Sequence, residues 1–252
     1  MNDSLTYIGG ATSLISFAGL RAITDPTFDP KGSAFSPGPY TLARTTDPIP
    51  GATRWTHDVV LLSHEHHYDN LDNSGRQWLS KAPAVLTTQA SAEKLRGASR
   101  GLKPWEQVQM SSPDGGMITI TSTPCRHGPP EADRGPVTGF LLEHPSRAPI
   151  YISGDTVWYE GVAEVAAKKK VATAILFVGA AQLDVVGPFP LTMTAAGAVE
   201  AAKAFAGAAI IPLHFEGWAH FREVRAEVEK AFAAAGMTDR LRWPEAGQPV
   251  PI

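Results

Sequence analysis

The sequence predicts an α/β fold made of two sheets that are covered by helices on the outside. One observation is the order of elements, with short apolar strands first and then strands mixed with helices in each half of the chain. Another is the content of 23 glycines and 21 prolines, which implies many turns and element ends. This combination is typical of sheets that pack together and carry helices on their outer faces.

In the first part of the chain, apolar residues alternate with small or polar ones, and glycine or proline interrupts the runs. Strands are therefore predicted at residues 5–8, 12–17, 20–24 and 58–62, with a turn at Ala18-Gly19. Residues 30–56 are rich in Pro, Gly, Ser and Thr. We interpret them as a long loop within one domain, because a strand pattern resumes after them.

Apolar periodicity predicts both kinds of element in the rest of the chain. Further strands are predicted at residues 84–88, 117–124, 137–143, 149–153, 174–178 and 209–213. Helices are predicted at residues 75–81, 91–97, 162–170, 194–206 and 219–235. The last helix is predicted because Phe221, Val224, Val228 and Phe232 would share one of its faces.

Composition and charge argue against several classes of protein. The chain has 252 residues and a formal net charge of -3, so it lacks the basic surplus typical of nucleic-acid-binding proteins. No leader-like segment and no apolar run near the ~20 residues of a membrane span is visible. The single cysteine, Cys125, fits a reducing compartment. We therefore expect one cytoplasmic domain over residues 1–252 without nucleic-acid or membrane partners, and homo-oligomer formation stays open.

Polar segments follow four of the predicted strands. They are SHEHHYDNLD at 63–72, CRHG at 125–128, SGDT at 153–156 and LHFEGW at 213–218. Loops at the C-terminal ends of strands converge in α/β architectures, so these four segments are expected to meet at one site.

Histidines in these segments point to a metal site. His64 and His66 are two positions apart, and such residues face the same side of an extended segment. They can therefore present two ring nitrogens to one ion, at bonds of about 2.0–2.1 Å. His127, Asp155 and His214 are the residues that would complete the site from other parts of the chain.

The four segments, in this order, resemble the metallo-β-lactamase superfamily of hydrolases. They are most similar to the branch that includes ascorbate-6-phosphate lactonase and N-acylphosphatidylethanolamine hydrolases. The opening TYIGGATSLISFAGLRAITDP, residues 6–26, is similar to the same branch, so the resemblance covers nearly the whole chain. It implies a four-layer αββα sandwich with the site on one edge, which agrees with the order of elements.

The resemblance also implies a ligand set for two ions. The matching residues are His64, His66 and His127 for the first site, Asp155 between the ions, and Asp69 and His214 for the second site. The family pattern His-x-His-x-Asp-His carries one inserted residue here, and Asn70 stands where the third motif histidine belongs.

Three alternatives for this replacement stay open. His67 takes the place of the missing histidine, the amide oxygen of Asn70 does so, or the second site has one ligand fewer. Because neighbouring side chains of an extended segment face opposite ways, we expect His67 to point away from the site, unless a tight turn intervenes. Carboxylate and amide oxygens are hard ligands, which moves the metal preference of the second site from zinc toward manganese. We therefore expect one or two ions, either zinc or manganese.

The predicted function is metal-dependent hydrolysis of a small molecule. Metal ions lower the pKa of bound water from about 15.7 to about 7, which makes hydroxide available at neutral pH. Asp69 would orient this nucleophile and accept its proton, and His220 or Tyr159 would assist the leaving group. The resemblance favours a lactone, an ester or a phosphoester. Alternatives are β-lactam hydrolysis and a metal-binding sensor or interaction module without turnover.

Three further residues carry weaker predictions. Asp25 and Asp72 either orient ligand histidines or serve as turn and cap residues. Arg126, beside His127, could clamp an anionic substrate.

Overall fold

The computed structural model describes residues 3–252. Met1 and Asn2 lie outside the described residues; they begin the N-terminal segment for which the sequence predicts no leader. The strands are β1 (Ser4–Gly9), β2 (Thr12–Phe17), β3 (Leu20–Thr24), β4 (Ala34–Phe35), β5 (Leu42–Ala43), β6 (Val59–Leu61), β7 (Val85–Thr88), β8 (Ser99–Leu102), β9 (Gln107–Ser111), β10 (Met117–Thr123), β11 (Gly139–His144), β12 (Arg147–Ile152), β13 (Thr173–Phe177), β14 (Ala209–Leu213) and β15 (Pro249–Pro251). The helices are α1 (Asn73–Leu79), α2 (Gln89–Leu95), α3 (Glu160–Lys168), α4 (Ala195–Ala204) and α5 (Arg225–Ala234). Short 3-10 turns span Ala52–Arg54, Pro130–Ala132 and Thr238–Arg240.

Two large sheets and one small hairpin contain these strands. The first sheet has seven strands in the order β15-β1-β2-β3-β6-β7-β8, and the second has six in the order β14-β13-β12-β11-β10-β9. The strands β12, β13 and β14 are parallel, and β11 is antiparallel to both β10 and β12. Consequently β10, β12 and β14 all end at the same edge of the second sheet. The hairpin consists of β4 and β5.

The central core lies between the two large sheets. It contains Ile15 from the first sheet and both Ile150 and Ile152 from the second, each at most 1% exposed. Tyr151, between these isoleucines, is also fully buried, but it packs on the opposite face. Successive strand residues point to opposite faces, so an unbroken apolar run of this kind requires both faces of the sheet to be covered.

Helices cover the outer faces of both large sheets. Val165 of α3, Ala198 of α4 and Phe232 of α5 pack in the outer core of the second sheet. On the first sheet, Leu79 of α1 and the partly buried Leu95 of α2 pack over the strands. The predicted four-layer αββα sandwich is therefore confirmed. Among the described residues, no helix has the length and apolar content needed to cross a bilayer.

Most predicted elements are present, and the differences have physical reasons. The strands β4, β5, β8, β9 and β15 were not predicted. In β9, which reads QVQMS, no residue is fully buried and the apolar signal is weak. The predicted helix at 219–235 begins only at Arg225. Phe221 was assigned to its apolar face, but it packs in a separate cluster beside Trp218, and Val224 is 48% exposed.

The long loop at residues 30–56 contains the small hairpin. Phe35 stacks on Tyr68 with ring centroids 4.5 Å apart, and it lies 5.8 Å from the ring of Trp218. Both partners belong to the polar segments that follow β6 and β14. The hairpin is therefore packed against the loops that carry the candidate ligands.

Candidate metal centre

The four polar segments meet at one edge of the sandwich. One follows β6 of the first sheet, and the others follow β10, β12 and β14 of the second. His64, Asp155 and His214 are all 0% exposed. Burial of ionisable side chains is costly unless they are paired or coordinate a metal, so their convergence requires a chemical explanation.

Three histidines surround one point. Nε2 of His64 lies 2.8 Å from Nδ1 of His67, and Nε2 of His127 lies 3.0 Å from the same atom. Oδ2 of Asp155 is 3.7 Å from Nε2 of His127. Atoms that bind one ion with bonds of about 2.1 Å lie roughly 3.0–3.4 Å apart. The separations here extend to either side of that range, and His64, His127 and Asp155 offer ligand atoms that all lie within 4.8 Å of one another, as do His64, His66 and His67.

Carbonyl groups fix the orientation of two histidines. Nδ1 of His127 donates to the carbonyl oxygen of Leu191 at 2.8 Å, and Nε2 of His66 donates to that of Arg134 at 2.8 Å. Because a carbonyl oxygen only accepts, these nitrogens carry the protons, and Nε2 of His127 and Nδ1 of His66 keep free lone pairs. Such outer hydrogen bonds are typical of metal-binding histidines.

A second group lies next to the first and shares Asp155. Nδ1 of His214 is 3.2 Å from Oδ1 of Asp155, and its Nε2 is 3.4 Å from Oδ2 of Asp69. Nε2 of His220 approaches the same oxygen of Asp69 at 2.9 Å. Asp69, Asp155 and His214 offer ligand atoms that all lie within 4.8 Å of one another.

Unpartnered atoms test whether these residues fit a cation. Both carboxylate oxygens of Asp155 and both ring nitrogens of His214 are buried without a hydrogen-bond partner among the described residues. An unsatisfied buried polar group costs about 1–3 kcal/mol, and more when it is charged. Divalent ions bound to these oxygen and nitrogen atoms would remove that cost, so the donor set fits one or two such ions.

The backbone at two positions of the site is strained. His214 has a φ of 58° and Asp25 has a φ of 31°, both in the left-handed region that favours glycine. Such conformations cost about 1–3 kcal/mol and concentrate at functional sites. At His214 the surroundings enforce the conformation, because its backbone N–H donates to the carbonyl of Gly10 at 3.0 Å.

Burial and charge set the protonation of the ligands. Burial, together with the neighbouring histidines, holds the pKa of His64 and of His67 well below the ordinary value, so both rings are neutral and can bind a cation. Burial by itself would raise the pKa of Asp69, but His220 and His214 hold it well below its usual range. The site therefore combines the neutral imidazoles of His64 and His67 with the ionised carboxylate of Asp69. Burial by itself would lower the pKa of His214, but the Asp155 and Asp69 carboxylates raise it above its ordinary value.

The expectation that His67 points away from the site was wrong. Its ring lies between His64 and His127, because residues 67–71 form a turn rather than an extended segment. Backbone N–H groups of Asn70 and Leu71 donate to the carbonyl of His67 at 3.3 and 3.0 Å, and neighbouring side chains need not alternate in such a turn.

His66 takes a more peripheral place than expected. It is only partly buried, and its Nε2 is committed to a backbone carbonyl. It still offers a ligand atom within 4.8 Å of those of His64 and His67.

Asn70 lies beneath the ligands and contacts Asp25 and Ser63. Its Nδ2 is 3.5 Å from Oδ2 of Asp25 and 3.4 Å from the Ser63 hydroxyl, whereas its Oδ1 is buried without a partner. Burial, reinforced by the Asp155 carboxylate, raises the pKa of Asp25 to about 8. The Ser63 hydroxyl lies 2.8 Å from Nδ1 of His64, so this polar group supports a ligand ring from behind.

Tyr159 and Arg126 lie in a different environment from the ligands. The Arg126 guanidinium is 4.4 Å from the Tyr159 ring centroid and 3.3 Å from the carboxylate of Glu160. Tyr159 packs against the outer core of the second sheet. The chain turns into α3 directly after Tyr159, and the role of Tyr159 at the leaving group stays a prediction.

A cavity opens beside the ligands. Its inner part has a volume of about 20 Å³ and is lined by Tyr40, Leu42, His67, Asp69, His127, Ala181, Leu183, Leu191 and His220. An adjoining cavity of about 330 Å³ shares Tyr40, Leu183 and His220. The apolar residues of the lining were not predicted individually; the only signal for Tyr40 and Leu42 was their place in a long loop, a common location of binding residues.

The fold and this edge define the class of protein. Residues 21–215 match the family described as beta-lactamase superfamily domain, and the chain belongs to this family. The prediction of a metallo-hydrolase of the metallo-β-lactamase superfamily is thereby confirmed.

Several relatives are similar over the whole length. An isothiocyanate hydrolase from Delia radicum gut bacteria is 26% identical, with a TM-score of 0.82 over 99% of both chains. A possible metal-dependent hydrolase from Veillonella parvula is 20% identical, with a TM-score of 0.87 over 100% of both chains. The UPF0173 protein YddR of Bacillus subtilis is 25% identical over 97% of this chain and 98% of its own length.

Proposed function

We propose that this protein is a metal-dependent hydrolase of a small, uncharged molecule with an electrophilic carbon, such as a lactone or another ester. The observation that carries the proposal is the convergence of buried imidazoles and carboxylates, several of them unpartnered, at the edge of the sandwich. Divalent ions held there would acidify a bound water and polarise the scissile bond. His64, His67 and His127 would hold one ion, and Asp69, Asp155 and His214 would hold the other.

The cavity supports an uncharged substrate over a phosphoester. The lining of its inner part includes Leu42, Leu183 and Leu191 and contains neither lysine nor arginine. Arg222 lines the outer part, but it is paired with Asp184 at 2.9 Å. Binding of a phosphate group typically relies on Arg or Lys side chains or on backbone N–H groups of a helix N-terminus.

Asp69 has the chemistry to act on the attacking water. Its carboxylate is buried and ionised, and Oδ2 lies beside both His214 and His220. An ionised carboxylate within hydrogen-bond reach of the water can orient it and accept its proton. The apolar cavity side would then exclude bulk water from the reacting carbon.

A second candidate substrate is an isothiocyanate, favoured by the 26% identity to the isothiocyanate hydrolase over 99% of both chains. Water would add to the central carbon of R–N=C=S, and the resulting thiocarbamic acid would release R–NH2 and COS. The electrophilic carbon is again uncharged and carries an apolar substituent, so the same cavity serves both candidates.

Finer assignments belong to the same proposal. Residues 1–252 form one hydrolase domain of the branch that resembles ascorbate-6-phosphate lactonase and N-acylphosphatidylethanolamine hydrolases. The ions are zinc or manganese, and the three imidazoles of the first site favour zinc there. The single cysteine supports a cytoplasmic location.

The test is hydrolysis of a panel by protein loaded with zinc or with manganese. The panel contains lactones, esters, aryl and alkyl isothiocyanates, phosphodiesters and a β-lactam. Asp69→Asn should lower kcat/KM for the preferred substrate on the order of 10²-fold, whereas Asp239→Asn, at an exposed position, should leave it unchanged. Metal-loaded protein that turns over no member of the panel would contradict the proposal and favour a sensor or interaction module.

A further inference from the structure

The second metal site lacks a ligand if only motif residues are counted. Asp69, Asp155 and His214 face it, and Asn70 replaces the histidine expected after Asp69. The contacts of the Asn70 amide nitrogen are with Asp25 and Ser63, at 3.5 and 3.4 Å. The position of the missing histidine therefore supplies no imidazole to this site.

Another histidine reaches the same place from a different loop. Nε2 of His220 lies 2.9 Å from Oδ2 of Asp69, and Nε2 of His214 lies 3.4 Å from that oxygen. Ligand atoms of an octahedral or tetrahedral ion with bonds of about 2.1 Å lie roughly 3.0 or 3.4 Å apart. Each of the two separations has the length of a coordination edge, and Asp69 would be the ligand that neighbours both His214 and His220.

We propose that His220 is a ligand of the second metal ion and replaces the histidine that Asn70 displaces. The inference rests on the proposed function only in that it requires metal ions at the site. With His220, the second site contains two imidazoles and two carboxylates, whereas without it the set is mainly oxygen.

The loop that carries His220 is held in place on several sides. The carbonyl of His220 accepts from the backbone N–H of Gln182 at 3.0 Å, and the N–H of Ala219 donates to Ala43 of the hairpin at 3.0 Å. His220 is 9% exposed, and its ring packs against Phe221 with centroids 4.7 Å apart. The ring is therefore positioned before any ion binds, which is typical of built sites.

The tautomer required for binding is available. Nε2 can bind an ion only if the ring proton sits on Nδ1, and Nδ1 of His220 is buried without a hydrogen-bond partner among the described residues. Without an ion, the ionised Asp69 carboxylate accepts from Nε2 at 2.9 Å, so the ring proton must move to Nδ1 when Nε2 binds an ion, and no neighbouring donor opposes a proton at Nδ1. The contact with Asp69 can then be replaced by a shared bond to the ion.

The imidazole of His220 would change which metal the second site prefers. Two imidazoles and two carboxylates form a softer set than carboxylates with an amide oxygen, and softer nitrogen-rich sites prefer zinc to manganese. The proposed ligand therefore reverses the preference that the motif alone suggests for this site.

Metal content of purified variants tests the proposal, measured by elemental analysis after loading with zinc and dialysis against metal-free buffer. Wild type should hold two ions per chain, and His220→Ala and His220→Gln should each hold one. Asn70→Ala should keep two, and His144→Ala, which removes a buried histidine far from the loop of His220 in sequence, should keep two as well. Far-UV circular dichroism checks that each variant is folded.

A rescue variant makes the test specific. Introducing Asn70→His into His220→Ala returns a histidine to the family position, and the double variant should regain the second ion. In the cobalt-substituted proteins, the visible absorption of one ion should disappear in His220→Ala and return in the double variant.

Three results would overturn the proposal. His220→Ala that still holds two ions would show that His220 only hydrogen-bonds to Asp69, and loss of an ion from Asn70→Ala alone would assign the ligand to the amide oxygen. A wild type that holds fewer than two ions would remove the second site. The hydrolysis panel is independent of these outcomes. A protein that holds two ions but hydrolyses no substrate would contradict the proposed function, and the metal content of the variants would still decide whether His220 is a ligand.

Discussion

Replacement of Asp72 with alanine should destabilise the protein strongly, although Asp72 is not among the candidate metal ligands. Its carboxylate lies 3.6 Å from Nη1 of Arg44, and both side chains are 0% exposed. It also accepts the backbone N–H groups of Asp29 and Gly75, each at 2.7 Å, and the latter bond caps α1. Arg44 in turn lies 5.5 Å from the Trp218 ring centroid, in the loop that carries His220.

The size of the effect follows from two contributions. Removing one partner of a buried ion pair costs about 3–5 kcal/mol. The lower end, about 3 kcal/mol, applies to Asp72, because both Nη atoms of Arg44 already lack hydrogen-bond partners among the described residues. Loss of a helix cap costs about 1 kcal/mol more. A total of about 4 kcal/mol corresponds to a fall in Tm of roughly 8–16 °C for a chain of this size.

Urea denaturation and differential scanning calorimetry at one saturating metal concentration measure this loss. Thr88→Ala is the matched control, because Thr88 caps α2 through the Ser91 N–H at 3.1 Å and belongs to no ion pair; it should cost only about 1 kcal/mol. Arg44→Met should restore most of the loss when combined with Asp72→Ala. If Asp72→Ala and Thr88→Ala cost the same within about 1 kcal/mol, the buried ion pair is not what stabilises this edge.

Three other predictions address the site and its supports. His67→Ala should lose an ion, since Nδ1 of His67 is 2.8 Å from a nitrogen of His64; elemental analysis that finds wild-type metal content would exclude His67 as a ligand. Chelation should lower Tm by roughly 5–11 °C, the equivalent of about 2.7 kcal/mol for metal at 100 times its Kd, and scanning fluorimetry that shows no shift on chelation and metal return would speak against bound ions. Gly75→Ala should lower the free energy of unfolding by about 1–3 kcal/mol, because the added Cβ would overlap the Pro26 carbonyl oxygen, whereas Gly38→Ala meets only ordinary contacts; equal urea midpoints for the two variants would refute this.

The sequence was sufficient to predict the layers and the meeting point of the ligands. In β12 the run Ile150, Tyr151 and Ile152 is apolar on both faces, and an apolar run of this kind by itself indicates a strand that is covered on both sides. Strand direction then decides which loops share an edge, and this is why His127, Asp155 and His214 could be grouped from their places after strands.

Turns and through-space neighbours limited the prediction at the site. The orientation of His67 depends on a turn closed by backbone hydrogen bonds of the local chain, and residue types alone do not specify it. The carbonyl oxygens of Leu191 and Arg134, which orient two histidines, leave no trace in a residue pattern because every residue has such a group.

The hairpin of β4 and β5 lines the cavity but carries no candidate metal ligand, so the residues that select a substrate and those that bind the metal lie on different segments. It contributes Tyr40 and Leu42 to the cavity wall, yet the candidate ligands all lie on other segments. Exchanges at Tyr40 and Leu42 would therefore reshape what the cavity admits while the metal ligands stay in place. A library confined to this hairpin offers a route to new selectivity by directed evolution with the reactive centre left intact.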